Sequence, residues 1–344
     1  MTLKKCLSYD DVLLVPQYSD ITSRTQVDIG SALNADVNLR IPIISSPMDT
    51  VTEAVMASGM ARNGGLGVIH RYNTIEKQCS YVRSARVGTQ YAAAAIGVSG
   101  DYYDRAIELV ASGATVLCID VAHGHHKLMK KALGSLKLRF GEGVHLMAGN
   151  IATKEGFEDL ARWGADSIRC NIGGGSICST RLETGHGVPG FQTILDCFMA
   201  DTDRDVKIIA DGGIRNSGDI VKALAAGADF VMLGSLLAGT IESPGDVAYA
   251  KDGTKSKVYR GMASPEAQLD WRGSASSIEG VTATVPFKGS LDHVLENLCQ
   301  GIRSGFSYSG SRSIVELQGT AKFILQTASG ISESGTHIRN RSSE

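Results

Sequence analysis

The stretch Ser217-Gly218-Asp219-Ile220-Val221-Lys222-Ala223-Leu224-Ala225-Ala226-Gly227-Ala228-Asp229-Phe230-Val231-Met232-Leu233-Gly234-Ser235 reads as one complete structural unit. Ser217–Ala225 is helix-like and stops before Ala226-Gly227-Ala228. Glycine ends helices because it enters the left-handed region without a Cβ clash. Phe230–Leu233 is then a short apolar run, suited to a strand covered on both faces. Gly234-Ser235 closes the unit with a turn.

The same order recurs along the chain. Apolar runs lie at Ile41–Met48, Gly65–His70, Ala93–Val98, Val116–Val121, Val144–Gly149, Ser167–Ile172, Lys207–Asp211 and Phe230–Leu233. Tyr103–Ala111 stops before Ser112-Gly113-Ala114, and Lys154–Ala161 before Trp163-Gly164-Ala165. Thr52–Arg62 and Ile75–Arg83 are further helix-like segments, although Thr74 has Lys77 as its third neighbour and so lacks a capping box. Helices that end in glycine and return to apolar strands are successive βα units. About eight of them predict an α/β fold, a (β/α)₈ TIM barrel. The runner-up is an open doubly wound sheet, but the first turn carries no dinucleotide fingerprint.

A helix around Ser290–Arg303 should complete the barrel. Residues 238–289 then form a long insertion after strand eight, and a loop of that length in a compact domain is usually functional. The polar tail 331–344, with Arg339 and Arg341, is expected to be loosely ordered. The whole of 1–344 is read as a single catalytic domain.

Composition narrows the class. Apolar residues make up 43% of the 344 and charged residues 20%, which suits a large packed core and argues against disorder. The formal net charge of −2 gives no bulk attraction to nucleic acid or to a membrane surface. The first residues lack an apolar signal segment, and no run is long enough to cross a bilayer. The 7 cysteines are scattered, odd in number and form no C-x-x-C pair, which favours a reducing cytoplasm over disulfides or zinc. His123, His125 and His126 cluster without a Cys or Asp partner at ligand spacing, so they are read as non-metal residues. Trp163 and Trp271 are read as packing residues.

In a barrel, chemistry belongs at the C-terminal ends of the strands. Ser46, Asp49, His70, Asp120, His123, Asn150, Cys178 and Asp211-Gly212-Gly213 all fall there. Any one of them could simply cap the next helix; together on one rim they describe a site. The loop Asn171-Ile172-Gly173-Gly174-Gly175-Ser176-Ile177-Cys178-Ser179-Thr180-Arg181 follows strand six. Its glycines let backbone N–H groups approach a ligand, with Cys178 held beside them. A structural turn with a half-buried thiol fits that loop equally well. Gly234-Ser235 is a plausible phosphate seat after strand eight. Asp211 repels phosphate and suits a ribose diol, so the expected ligand is a ribose 5′-phosphate.

Several stretches carry a resemblance. Asp10-Asp11-Val12-Leu13-Leu14-Val15-Pro16, Ser46-Pro47-Met48-Asp49-Thr50-Val51, the cysteine loop, Asp211-Gly212-Gly213-Ile214, Met232-Leu233-Gly234-Ser235 and Tyr259-Arg260-Gly261-Met262 resemble the IMP dehydrogenase/GMP reductase family over nearly the whole chain. Gly174 and Ser179 depart from its usual pattern. The resemblance implies a barrel that binds a purine monophosphate, GMP or IMP, and attacks purine C2 with Cys178. Substrate would meet Ser46, Met48, Ser176, Asp211, Gly212, Gly213, Gly234, Ser235, Tyr259, Gly261, Met262, Ala263 and Gly280. A potassium ion would sit on the carbonyls of Gly173, Gly175 and Cys178, with Arg181 nearby. A nicotinamide cofactor would lie near Asp120, Val121 and Ala122, over Ile172 and Gly173. Ser23, Arg24 and Arg71 would meet the 2′-phosphate of NADPH, Arg being a bidentate reader of phosphate. Tyr308 and Ser311 would contact a cofactor held by a neighbouring subunit of a homotetramer.

The family holds two reactions. The dehydrogenase oxidises IMP with NAD and must then hydrolyse its adduct, using an Arg-Tyr pair on a flap. Residues 262–279 contain Trp271-Arg272-Gly273 but no Arg-Tyr pair. Arg83-Ser84-Ala85-Arg86-Val87-Gly88 also leaves no room for regulatory CBS domains, which some dehydrogenases likewise lack. The expectation is therefore the reductase reaction, GMP to IMP and ammonia with NADPH, in which Thr180 and Glu279 move protons to and from the amine. IMP dehydrogenase with Arg272 as a relocated base is the alternative. A nucleotide-binding scaffold without turnover is the third reading.

Overall fold

The computed structural model describes residues 3–276 and 278–335; the tail positions Arg339 and Arg341 lie outside these. All eight apolar runs become strands of one closed parallel barrel. These are β1 (Ile43–Ser45), β2 (Leu66–Ile69), β3 (Ala93–Ile96), β4 (Val116–Asp120), β5 (His145–Ile151), β6 (Ser167–Cys170), β7 (Lys207–Asp211) and β8 (Phe230–Leu233). Each pairs with the next, and β8 closes on β1 through Val231 against Ile43.

The runs look uniformly apolar because both faces are covered. Ile44, Val68, Ala93, Ala95, Val116, Cys118, Met147, Ile209, Phe230 and Met232 form an inner cluster with Leu33, Val37 and Leu39. Those last three belong to the hairpin segment 31–39, whose short strands Ser31–Ala32 and Asn38–Leu39 plug one end of the barrel. The alternate residues, such as Ile43, Ile69, Ala94, Leu117, Ala148, Ile168 and Leu233, pack outward against the helices.

Those helices are α1 (Ala54–Arg62), α2 (Ile75–Ala85), α3 (Tyr102–Ala111), α4 (Lys127–Phe140), α5 (Lys154–Arg162), α6 (Gly190–Phe198), α7 (Ser217–Ala225) and α8 (Leu291–Tyr308). Thr74 caps α2 without a capping box, accepting from the Lys77 N–H at 3.2 Å. Sequence reading does not delimit α4 or α6. The first starts from an unusual cap, the His126 ring accepting from Leu128 N–H, and the second starts at Gly190 behind Pro189.

Between β8 and α8, strands Ala248–Tyr249, Lys255–Arg260 and Thr282–Pro286 form an antiparallel sheet, with a helix at Pro265–Arg272. Its base is tied down by the buried Lys257, whose ammonium donates to the Thr240 and Ser243 carbonyls at 3.1 and 2.5 Å. At the other end of the chain, strand Val12–Leu14 pairs with Phe323–Leu325. This holds the preceding turn, Tyr9–Asp11, against Phe191 at the barrel rim. No helix among the described residues is long and apolar enough to cross a membrane.

Candidate active site

A cavity of about 520 Å³ opens at the C-terminal ends of the strands. Its wall includes Ser46 and Met48 after β1, Ala122 after β4, residues 171–178 with Thr180 and Arg181 after β6, Asp211–Arg215 after β7, and Met232–Ser235 at β8. The insertion adds Tyr259, Gly261, Met262, Ala263 and Glu279.

The thiol is placed by two pieces of backbone. Cys178 N–H closes a turn onto the Gly175 carbonyl at 3.1 Å. The insertion's returning chain then knits to the loop: Val281 N–H donates to Ile177, Ser179 N–H to Glu279, and the Ser179 hydroxyl to the Ile278 carbonyl. That stitching brings residues 99 apart in sequence into line. Cys178 Sγ lies 3.1 Å from Thr180 Oγ1, and Thr180 Oγ1 donates to Glu279 Oε2 at 2.8 Å. A thiol, a hydroxyl and a carboxylate in series can carry a proton away from sulfur or toward a leaving group.

Gly280 lies behind the wall. A Cβ there would be 2.9 Å from Ser264 N, so its role is to let the Gly261–Ser264 turn pack closely. Gly212 and Gly213 have φ of +87° and +76°, a conformation that glycine adopts without strain. Across from them, a Cβ on Gly234 would sit 2.6 Å from the Tyr259 hydroxyl. Burial pushes the Tyr259 phenol up to about 12, against the Ser176 side chain and the Ser235 backbone as hydrogen-bond partners. It therefore stays a neutral donor at the glycine cradle.

Beneath the cavity, Arg169 donates through Nε and Nη2 to Asp211 Oδ2 at 3.0 and 2.8 Å. Its Nη1 reaches Asp120 Oδ1 at 2.5 Å. Asn150 Nδ2 makes a further 2.8 Å bond to Asp211 Oδ2. Burial opposes the guanidinium charge, but Asp211, Cys118 and Asp120 outweigh it and hold the group cationic. Asp211 keeps a place on the cavity wall, while Asp120 sits on the Arg169 layer. Arg71 Nε approaches Asp120 Oδ2 to 3.8 Å, too far for a hydrogen bond, and is buried with no hydrogen-bond partner among the described residues.

Within one chain the residues expected at the cofactor fall in two groups. Ser23 and Arg24 do not join Arg71. They lie on the stretch that runs beside the end of α8, where Gln17 N–H meets Tyr308 O and Asp28 N–H meets Arg312 O. Ser23, Arg24, Tyr308 and Ser311 thus form a group of their own, away from the cysteine. Arg181 braces the loop. Its guanidinium donates to the Val188 carbonyl at 2.7 Å, and its own carbonyl accepts from Gly185 N–H. The carbonyls of Gly173 and Cys178 accept no hydrogen bond among the described residues, and Gly175 O takes only Cys178 N–H, so these three suit a hard monovalent cation. Trp271 packs by stacking, its ring 4.1 Å from that of Tyr72, with Arg71 5.2 Å above the latter. Arg272 is held by Ser274 O at 3.0 Å and by Gln268 and Ser276. His125 pairs with Asp159 at 2.9 Å, and His126 caps α4.

Sequence reading gives no site role to Ser8, Tyr9 and Asp10, which fold back onto the wall, or to Arg215 and Asn171, although Asp10 and Asn171 lie in stretches it singles out. It also missed Arg169, although a charged residue inside an apolar strand was an available signal.

These features define a (β/α)₈ barrel enzyme with a cysteine poised in its cavity. The IMP dehydrogenase / GMP reductase domain matches residues 6–337. The inosine-5′-monophosphate dehydrogenase of Nitrosopumilus maritimus is 34% identical over 473 aligned positions, covering 98% of this chain and 99% of that protein. The GMP reductase of Leishmania major is 33% identical, covering 98% and 97%. A crystal structure of a cysteine-to-alanine variant of Trypanosoma brucei GMP reductase in complex with guanosine 5′-monophosphate superposes with a TM-score of 0.92, at 33% identity and 98% coverage of both chains. The chain belongs to the IMP dehydrogenase/GMP reductase family, oxidoreductases that act on purine nucleotides. The alignments run well past 344 positions, so these relatives carry segments that this chain lacks.

Proposed function

We propose that this protein is a GMP reductase, converting GMP to IMP and ammonia at the expense of NADPH. The observation that carries the reading is the contact line from Cys178 through Thr180 to Glu279. The thiol gives its proton along that line, and sulfur bonds to purine C2. The proton then serves the 2-amino group, which leaves as ammonia when the C2–N bond breaks. A bound reduced nicotinamide supplies the hydride that C2 needs. The C2–S bond then breaks, the electron pair returns to sulfur, and IMP is released.

No step in this sequence needs an activated water. The alternative, IMP dehydrogenase, does. Arg272, the residue considered for that task, spends its guanidinium on Ser274, Gln268 and Ser276. The neighbour that holds GMP supports a purine monophosphate in the cavity. On this reading Asp211 takes the ribose diol, and Gly212, Gly213, Gly234, Ser235 and Tyr259 take the phosphate. Ala122, Ile172 and Gly173, which share the cavity with Cys178, would hold the nicotinamide end of the cofactor. The carbonyls of Gly173, Gly175 and Cys178 would hold potassium, whose charge favours the thiolate. In a homotetramer, Ser23, Arg24, Tyr308 and Ser311 would serve a cofactor seated in the adjoining copy.

The test is direct. With GMP and NADPH the protein should consume NADPH and release IMP and ammonia in equal amounts. If it instead forms xanthosine monophosphate and NADH from IMP and NAD, the dehydrogenase reading replaces this one.

A further inference from the structure

The mechanism leaves the buried Arg169 unexplained. Arg169 takes no part in the proton line, yet it spans the barrel floor from the end of β4 to the end of β7. It is about 6% exposed, and three of its donor bonds go to two different carboxylates. Cys118 Sγ stands 3.5 Å from Nη1, so the group is backed by protein on its inner side. A guanidinium is a rigid planar fork, and one end cannot turn without moving the other. Asp211 Oδ2 is already met by Arg169 and Asn150, which limits how that carboxylate can turn.

We propose that Arg169 is a positioning residue that couples the two ligands, so that a nucleotide on Asp211 prepares the Asp120 side for the cofactor, and the reverse. The inference rests on the assignment of ribose to Asp211 and cofactor to the Asp120 side. A ribose diol on Asp211 fixes that carboxylate, which fixes the guanidinium plane, which fixes Asp120. Ordering the network once then serves both ligands, and this is a source of positive cooperativity without a change of fold. Linkage requires the effect to be equal in both directions.

IMP and NADPH are a non-reacting pair, because IMP has no 2-amino group to lose and NADPH already carries its hydride, so coupling is read from binding alone. Titration calorimetry would give the Kd of each ligand with and without the other. In the wild type, each should tighten the other by about tenfold. In Arg169→Lys, whose single ammonium cannot bridge both carboxylates, both ligands should still bind but the mutual effect should fall to about onefold. Asp120→Ala removes the acceptor of the far arm only and should lose the coupling as well, which keeps the test open if Arg169→Lys fails to fold. A purely structural Arg169 predicts weaker binding with the coupling ratio unchanged, and that result overturns the proposal. Two ligands that bind the wild type independently also overturn it. Failure of IMP to bind at all overturns the functional reading beneath it.

Discussion

A methyl group on Gly174 would lie 2.7 Å from Oδ1 and 2.8 Å from Cγ of Asn171. The Asn171 side chain fills the space under the cysteine loop, donates to the Gly212 carbonyl at 3.3 Å, and touches the neighbourhood of Gly190 and Gly213. It thus wedges together the two glycine loops that carry the thiol and Asp211. Gly174, a departure from the family's usual pattern, follows from the asparagine beneath it.

Gly174→Ala should therefore displace the loop even though alanine is small. Overpacking of this kind costs about 1–3 kcal/mol. We expect a lower melting temperature and slower alkylation of Cys178. Asn171→Gly in the same chain should restore the alkylation rate, because it removes the atoms that clash. Additive losses in the double variant would refute the pairing.

The proton line makes a second prediction. Glu279→Gln keeps a hydrogen-bond acceptor for Thr180 but cannot take a proton. Turnover should fall by about 10²–10⁴, the range for loss of a general acid or base. Binding of GMP should stay within a few fold. Cys178→Ala should abolish turnover and the mass increase of any covalent nucleotide adduct, while nucleotide binding persists. Unchanged turnover in Glu279→Gln would remove the carboxylate from the mechanism.

Much of this was legible in the residues. The repeated βα unit made all eight strands readable, because parallel strands buried on both faces give short apolar runs closed by glycine. Helices α4 and α6 were less visible because their starts, His126 and Pro189, are not ordinary caps. In the site, Cys178, Thr180 and Glu279 were named together, but through resemblance; nothing in local spacing says that residues 180 and 279 touch. Tyr9 and Asp10 were out of reach for the same reason. They meet the cavity only because the strand Val12–Leu14 pairs with Phe323–Leu325, a contact between opposite ends of the chain. Ser23, Arg24 and Arg71 are grouped at the cofactor's 2′-phosphate through resemblance, and within one chain Ser23 and Arg24 lie on the stretch beside the end of α8.

The insertion is clamped to the barrel by Arg260, which donates to Asp49 Oδ2 at 3.0 and 2.6 Å and to Asp270 Oδ2 at 2.6 Å. Its backbone N–H also meets Thr50 Oγ1. Tyr259, Gly261 and Met262 flank it, so the clamp sets one wall of the cavity. Arg260→Met should leave the half-buried Asp49 uncompensated and loosen that wall. We expect GMP affinity to fall by roughly tenfold or more, in line with truncation of a partly buried charge pair. Limited proteolysis should cut first within residues 248–286. Wild-type affinity with wild-type protease resistance would show that the clamp is dispensable.

The half-buried Asp229 and the buried His145 give stability a compensated pH dependence. Burial pushes the Asp229 carboxyl up to about 6 from 3.8, and it pushes the His145 imidazole down to about 4 from 6.5. Asp229 accepts the Ile208 N–H at 2.8 Å, and His145 Nε2 pairs with Ser167 Oγ at 2.8 Å. For Asp229 the folded state binds the proton more tightly than the unfolded chain, so its contribution is full below about pH 4 and is lost as pH rises through about 6. For His145 the folded state binds the proton more weakly, so its contribution is full above about pH 6.5 and is lost as pH falls through about 4. The slopes oppose each other across nearly the same window. Asp229→Asn keeps an acceptor for Ile208 and should gain on the wild type as pH rises from 4 to 6. His145→Gln should gain on the wild type as pH falls from 6.5 to 4. Each differential should be on the order of 2 kcal/mol. Urea unfolding of the three proteins at pH 4, 5, 6 and 7 would measure it, and parallel profiles would show that neither group titrates differently in the folded state.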